Sequence, residues 1–174
     1  DVAARAWLKA GGQKITQSGG DAQVVPTANQ DQLGLFKQKQ LDAVWTVEPW
    51  VSRLEREAGG KILVDDREAI TTVLVTRVDM LTAQKELVHK VVAAHRELTD
   101  WILKNPEQAQ HMVREELDAE MHAKFPAELI AGAWPRIVPT ADISADALQK
   151  FVASAQSAGF LRGAPDMAQL VAYP

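Results

Sequence analysis

The spacing of apolar residues changes character near residue 70. Before it, short apolar runs alternate with stretches of helical period; after it, only the helical period remains. Val2, Ala6 and Leu8 share one helical face, and Gly11-Gly12 supplies a stop, so the chain opens on a short helix. Gln23 to Val25, closed by Pro26, predict a strand, followed by a helix with Asn29 at its N-cap that carries Leu33, Phe36 and Lys37 to a break near Gln40. Ala43-Val44-Trp45 predict a second strand, and Pro49 opens a helix through Val51, Leu54 and Glu55 to Gly59-Gly60. Lys61 to Val64 and Thr71 to Thr76 complete the strand candidates, the latter rich in β-branched residues. Alternation of this kind is what a parallel sheet with crossover helices requires, so an α/β architecture is expected.

Beyond the change of period, Leu87, Val91, Leu98 and Ile102 predict a helix over 84–103, ended by Asn105-Pro106. A further helix runs from Glu107 to Leu117, with Ala109, Met112 and Val113 turned inward, and another opens at Pro126 toward Trp134. The last spans 144–159, with Ser144 at its N-cap and Leu148, Phe151, Val152 and Ala155 inward. Pro and Gly are scattered as punctuation, so no linker and no repeat divides the chain.

Charge and chemistry narrow the function classes. A formal charge of -4 without clustered Lys or Arg argues against a nucleic-acid partner. The absence of cysteine removes disulfides, thiolate metal sites and cysteine nucleophiles together. His89, His95, His111 and His122 stand six or more residues apart, so no pair has the one-turn spacing of a helical zinc site. No G-x-S-x-G elbow, Walker loop or dinucleotide fingerprint occurs, and Glu115-Glu116 and Asp118-Glu120 read as a solvated helix end. No catalytic residue, metal or cofactor is expected. No apolar run approaches bilayer length, and any export signal is expected to lie outside the chain, which opens at Asp1 without Met or a basic start.

One constellation stands apart, Leu41-Asp42-Ala43-Val44-Trp45-Thr46-Val47-Glu48-Pro49-Trp50. A strand ending at Trp45, a loop with Glu48 and a helix starting at Pro49 describe the carboxyl edge of an α/β sheet, where such sheets bind ligands. Unpaired N–H groups at the helix start would favour an anion. Trp45 and Trp50 either wall the apolar part of a solute or anchor a strand and helix in the core, and the sequence leaves both open.

This segment resembles the substrate-binding proteins of ABC importers for aliphatic sulfonates, taurine and nitrate. The likeness continues through Asp1-Val2-Ala3, Gln40-Leu41-Asp42-Ala43, Gly60-Lys61-Ile62-Leu63-Val64-Asp65, the Thr71 to Val75 run, Thr99-Asp100-Trp101-Ile102 and Asn105-Pro106. It implies a type II periplasmic-binding-protein-like fold, two lobes with doubly wound sheets closing on a ligand, with roughly the N-terminal third of the family's length preceding Asp1. Residues 1–70 would then form most of the second lobe and 71–174 the returning, helix-rich part of the first. The helices after Gln84 would lose the sheet they normally cover and expose apolar surface.

The resemblance further implies that Trp45, Glu48 and Trp50 line the cleft, that Thr71 and Thr72 sit at the return crossover, and that the helix begun by Asp1 points its N-terminus at the ligand. Glu48 is awkward beside an anion, so it must point away, latch the opposite lobe or pair with a cationic group on a zwitterionic ligand, and the latch is the role expected. The implied partners are a small anionic solute and a membrane permease, in a periplasmic or extracytoplasmic location. The intact family is monomeric, whereas a fragment is expected to self-associate. Two further readings share the resemblance, an enzyme of pyrimidine-precursor synthesis and the effector domain of a transcription regulator. The related desulfinases use a cysteine nucleophile that this chain lacks.

Overall fold

A computed structural model of the chain describes residues 1–15, 20–163 and 165–172. Its helices follow the apolar period closely. In order they are α1 (Val2–Ala10), α2 (Asn29–Lys37), α3 (Trp50–Ala58), α4 (Met80–Ala83), α5 (Lys85–Lys104), α6 (Pro106–Glu120), α7 (Ala127–Ala133), α8 (Ala145–Ser157) and α9 (Met167–Leu170), with a 3-10 turn at Trp134–Arg136 between α7 and α8. Local chemistry sets their ends. The Ser144 hydroxyl accepts from Ala147 N–H at 3.2 Å and caps α8. Gly59 takes the left-handed conformation (φ 65°) that ends α3, a geometry cheap for glycine alone. Pro106 begins α6, where its missing N–H costs no hydrogen bond, and Asn105 closes α5 onto the Trp101 carbonyl through its backbone and its side chain.

The expected α/β fold with doubly wound sheets is not what forms. Among the described residues there is no sheet, only isolated bridges from Ile15 to Gly20 and Ala22. The strand candidates at 23–25, 43–45, 61–64 and 71–76 lie outside any helix but are not laterally paired. A strand is stabilised by the neighbour that takes its N–H and C=O groups, and among the described residues none of these runs forms a ladder with another. Their β-branched composition favours extended backbone without supplying that partner.

Helices pack on helices instead: α1 on α8, α2 on α3, α3 on α7, and α5, α6 and α7 in succession. The core lies where α6 turns into α7. Phe125, Leu129 and Ile130 are buried there, the last two at 2% exposure, and Trp50, Leu117, Met121 and Trp134 pack around them. The Asp118 carboxylate holds the turn by accepting from Phe125 N–H at 2.6 Å, and His122 takes the left-handed conformation the reversal needs. That N–H, more than Lys124 nearby, holds the Asp118 carboxyl below its ordinary value of 3.8 despite the opposing cost of desolvation.

The α5 stripe departs from its expected burial. Leu87, Val91 and Leu98 face solvent, and the residue this helix buries is Thr99, whose hydroxyl donates to the His95 carbonyl at 2.8 Å. Met112 and Val113 of α6 and Phe151 of α8, expected inward, are likewise exposed, whereas Ala109 and Ala155 are buried. An amphipathic period states which side of a helix is apolar, but a second element must arrive to cover it.

Candidate functional site

The segment 41–50 runs from the end of α2 to the start of α3, and the structure separates its two tryptophans. Trp50 is the anchor: its ring meets Phe125 edge-on with centroids 6.4 Å apart, and the Arg53 guanidinium lies 5.9 Å from the Trp50 ring centroid and 5.8 Å from that of Phe125. Trp45 is exposed, and its ring tilts against Trp7 of α1 with centroids 6.3 Å apart. The Thr46 hydroxyl next to it donates to the Asn29 side-chain oxygen Oδ1 at 3.4 Å. That oxygen also accepts from buried Gln32 at 3.1 Å, so the end of the segment is tied to the first turn of α2.

Glu48 points inward. Its side chain is 5% exposed, Oε1 accepts from Arg136 Nε and Oε2 accepts from Ser52 N–H at 3.0 Å. Arg136, in the 3-10 turn after α7, also donates through Nη2 to Ser52 Oγ at 2.8 Å and to Glu55 Oε2 at 3.1 Å. Burial works against the arginine charge, but the hydrogen bond and attraction of Glu48, followed by Glu55 and Asp65, outweigh it and hold the guanidinium above its ordinary range. One guanidinium thus grips the first two turns of α3 over the core that Trp50 and Phe125 share.

This arrangement closes the helix start expected to receive an anion. Trp50 and Val51 N–H donate to the Val47 carbonyl, Ser52 N–H to Glu48, and Arg53 N–H to the Pro49 carbonyl, so the first-turn donors of α3 are taken. Both Glu48 oxygens are engaged inside the protein. The Glu48–Arg136 pair joins the 1–70 portion of the chain to the 71–174 portion.

The N-terminus of α1 is different. Asp1 stands at its N-cap without a side-chain cap hydrogen bond, its carboxylate instead accepting from Arg5 Nε at 2.6 Å. Arg5 also donates to the Val24 carbonyl at 3.2 Å and lies 6.0 Å from the Phe160 ring centroid. Helix α1 therefore carries Asp1, Arg5 and Trp7, with Trp45 against the last. Thr71 and Thr72 are exposed on the irregular run before α4. A shallow groove of about 600 Å³ opens between the C-terminal ends of α2 and α3, lined by Phe36, Lys37, Lys39, Leu41, Asp42, Glu57 and Ala58. It includes none of the six expected site residues.

Residues 1–117 match the model of the NMT1-like family. The chain belongs to that family. NMT1-like proteins include the nitrate-, sulfonate- and taurine-binding proteins of ABC importers, and most of them bind rather than transform their ligands. No curated protein and no solved structure matches the chain. The NMT1-like match spans Asp1, Trp45, Glu48, Trp50, Thr71 and Thr72 and ends within α6, so Arg136 lies outside it.

Arg5, Trp7, Ser52 and Arg136 escaped the sequence reading. Asp1 and Arg5 have the i, i+4 spacing of a helical ion pair, which could have marked Arg5. Arg136 is the single basic residue between Lys124 and Lys150, a weaker sign. Nothing local to Trp7 or Ser52 distinguishes them.

Proposed function

We propose that this NMT1-like protein is the solute-binding component of an ABC importer, taking a small anion such as an aliphatic sulfonate, taurine or nitrate outside the cytoplasm and delivering it to a membrane permease. The match of residues 1–117 to a family of binding proteins carries this reading, because it spans all six residues named as candidates. The geometry supports one end of the chain as the contact surface. The positive end of the α1 dipole is what favours an anion at this helix start, because Asp1 and Arg5 neutralise each other there as an ion pair. The exposed Trp7–Trp45 pair offers an apolar wall for an alkyl chain. Glu48 and Trp50 support the site from behind, fixing the segment that carries Trp45.

Thermal-shift and calorimetric titration against alkanesulfonates, taurine, nitrate and sulfate tests the reading. At least one of these anions is expected to raise the melting temperature and perturb tryptophan fluorescence. Trp45→Ala is expected to weaken binding of a longer alkanesulfonate about ten-fold, roughly 1.4 kcal/mol, while leaving nitrate affinity nearly unchanged. Cooperative melting with no response to any member of the panel would overturn the proposal.

A further inference from the structure

Among the described residues the backbone of 41–46 makes no hydrogen bond to other backbone, so no ladder sets the direction in which Trp45 points. Side-chain contacts must set it. The Trp45 ring is 38% exposed and leans on Trp7, itself 49% exposed, with the ring planes 54° apart. On the next residue the Thr46 hydroxyl reaches Asn29 Oδ1 at 3.4 Å, a long bond that persists only while that oxygen is aimed at it. Asn29 is exposed, and the terminal torsion of an exposed amide is soft. What aims it is Gln32, whose Nε2 donates to the same oxygen at 3.1 Å and reaches the Thr27 carbonyl at 3.5 Å.

Gln32 is costly where it stands. It is 5% exposed, and its Oε1 is buried without a hydrogen-bond partner among the described residues. Turning the amide over would set that oxygen against the Thr27 carbonyl, acceptor against acceptor. An apolar side chain of similar length fills such a space without stranding an acceptor. Stability therefore does not explain the polar group. Its nitrogen holds Asn29 Oδ1 toward Thr46, and a buried group that breaks the rule of full pairing marks a place where function asks for it.

We propose that Gln32 and Asn29 are positioning residues for the solute site, holding Trp45 against Trp7 through Thr46 and so favouring solutes that carry an apolar chain. What the Trp7–Trp45 wall selects rests on the solute-binding reading; the placement of Trp45 stands apart from it. The test uses the full chain with fluorine-labelled tryptophan, whose five residues are read by fluorine NMR and assigned by replacing each in turn with phenylalanine. Gln32→Met and Thr46→Val are expected to displace the Trp7 and Trp45 signals while those of Trp50 and Trp101 stay in place. Asn29→Asp keeps an acceptor for both donors and is expected to leave every signal where the parent has it. Gln32→Met is expected to melt no lower than the parent. Titrated with octanesulfonate and nitrate, Gln32→Met and Thr46→Val are expected to lose several-fold in affinity for the first and none for the second. Trp7 and Trp45 signals unmoved in both variants would overturn the proposal, as would an octanesulfonate affinity that stays at the parent's or falls together with nitrate's. So would a Gln32→Met chain that melts well below the parent, because Gln32 would then be kept for stability. A parent that binds neither anion, with the two signals still displaced by the variants, would count against solute binding and leave the positioning of Trp45 standing.

Discussion

Removing the guanidinium of Arg136 while keeping its apolar stem, as in Arg136→Met, should destabilise the protein more than any surface charge change. The side chain is 22% exposed, and three contacts are lost. The contact with Glu55 counts for little, because that carboxylate is 35% exposed and its pair is largely screened. The contact with Glu48 dominates, since that carboxylate is 5% exposed and keeps only the Ser52 N–H. Breaking a buried pair from one side costs about 3–5 kcal/mol. Water reaching the vacated edge lowers that to about 2–4 kcal/mol, with the lost Ser52 contact included. At about 2.1 cal/mol/K of unfolding entropy per residue, a loss of ~3 kcal/mol lowers Tm by roughly 8 °C for a domain of this size.

Urea unfolding followed by tryptophan fluorescence measures the change. Adding Glu48→Gln removes the stranded charge while an amide oxygen still accepts from Ser52, so the double variant is expected to recover about 1–2 kcal/mol over Arg136→Met alone. A midpoint for Arg136→Met within about 0.5 kcal/mol of the parent, or a double variant no more stable than that single one, would refute the reasoning.

Leu129→Ala is expected to cost about 2–5 kcal/mol because Leu129 is almost fully buried in the core, whereas Leu103→Ala at an exposed position should stay within about 0.5 kcal/mol in the same urea titration. Asp118→Asn tests the turn between α6 and α7 through its pH dependence. The folded carboxyl sits below 3.8, so its stabilisation is complete above that value and is lost as pH falls through the lower folded value. The Tm deficit of Asp118→Asn should therefore be largest near neutrality and shrink below about pH 4; a deficit independent of pH would show that the charge is not what matters.

Helices and their ends were written in the sequence. The period of Leu87, Val91, Leu98 and Ile102 placed a helix over 84–103 where Lys85–Lys104 forms, and Ser144, Gly59 and Pro106 punctuate as their chemistry dictates. Helical hydrogen bonds span four residues, so local sequence contains nearly all that specifies them. Extended segments answer to partners at any distance. Thr71 to Thr76 has a strand's composition, yet among the described residues no run pairs with it. The same limit governs the candidate site. Trp45 and Trp50 are equivalent as letters, and it is Trp7 against one and Phe125 against the other that makes the first an exposed wall and the second an anchor. Arg136, which takes the Glu48 carboxylate, lies 88 residues away, beyond the reach of any local pattern. By itself the sequence determined which segments coil and which family the chain resembles, because both reside in short, ordered patterns. Which faces are covered, and which charged groups are already spent inside the protein, only the tertiary structure decided, because burial and pairing are properties of residues brought together from distant parts of the chain.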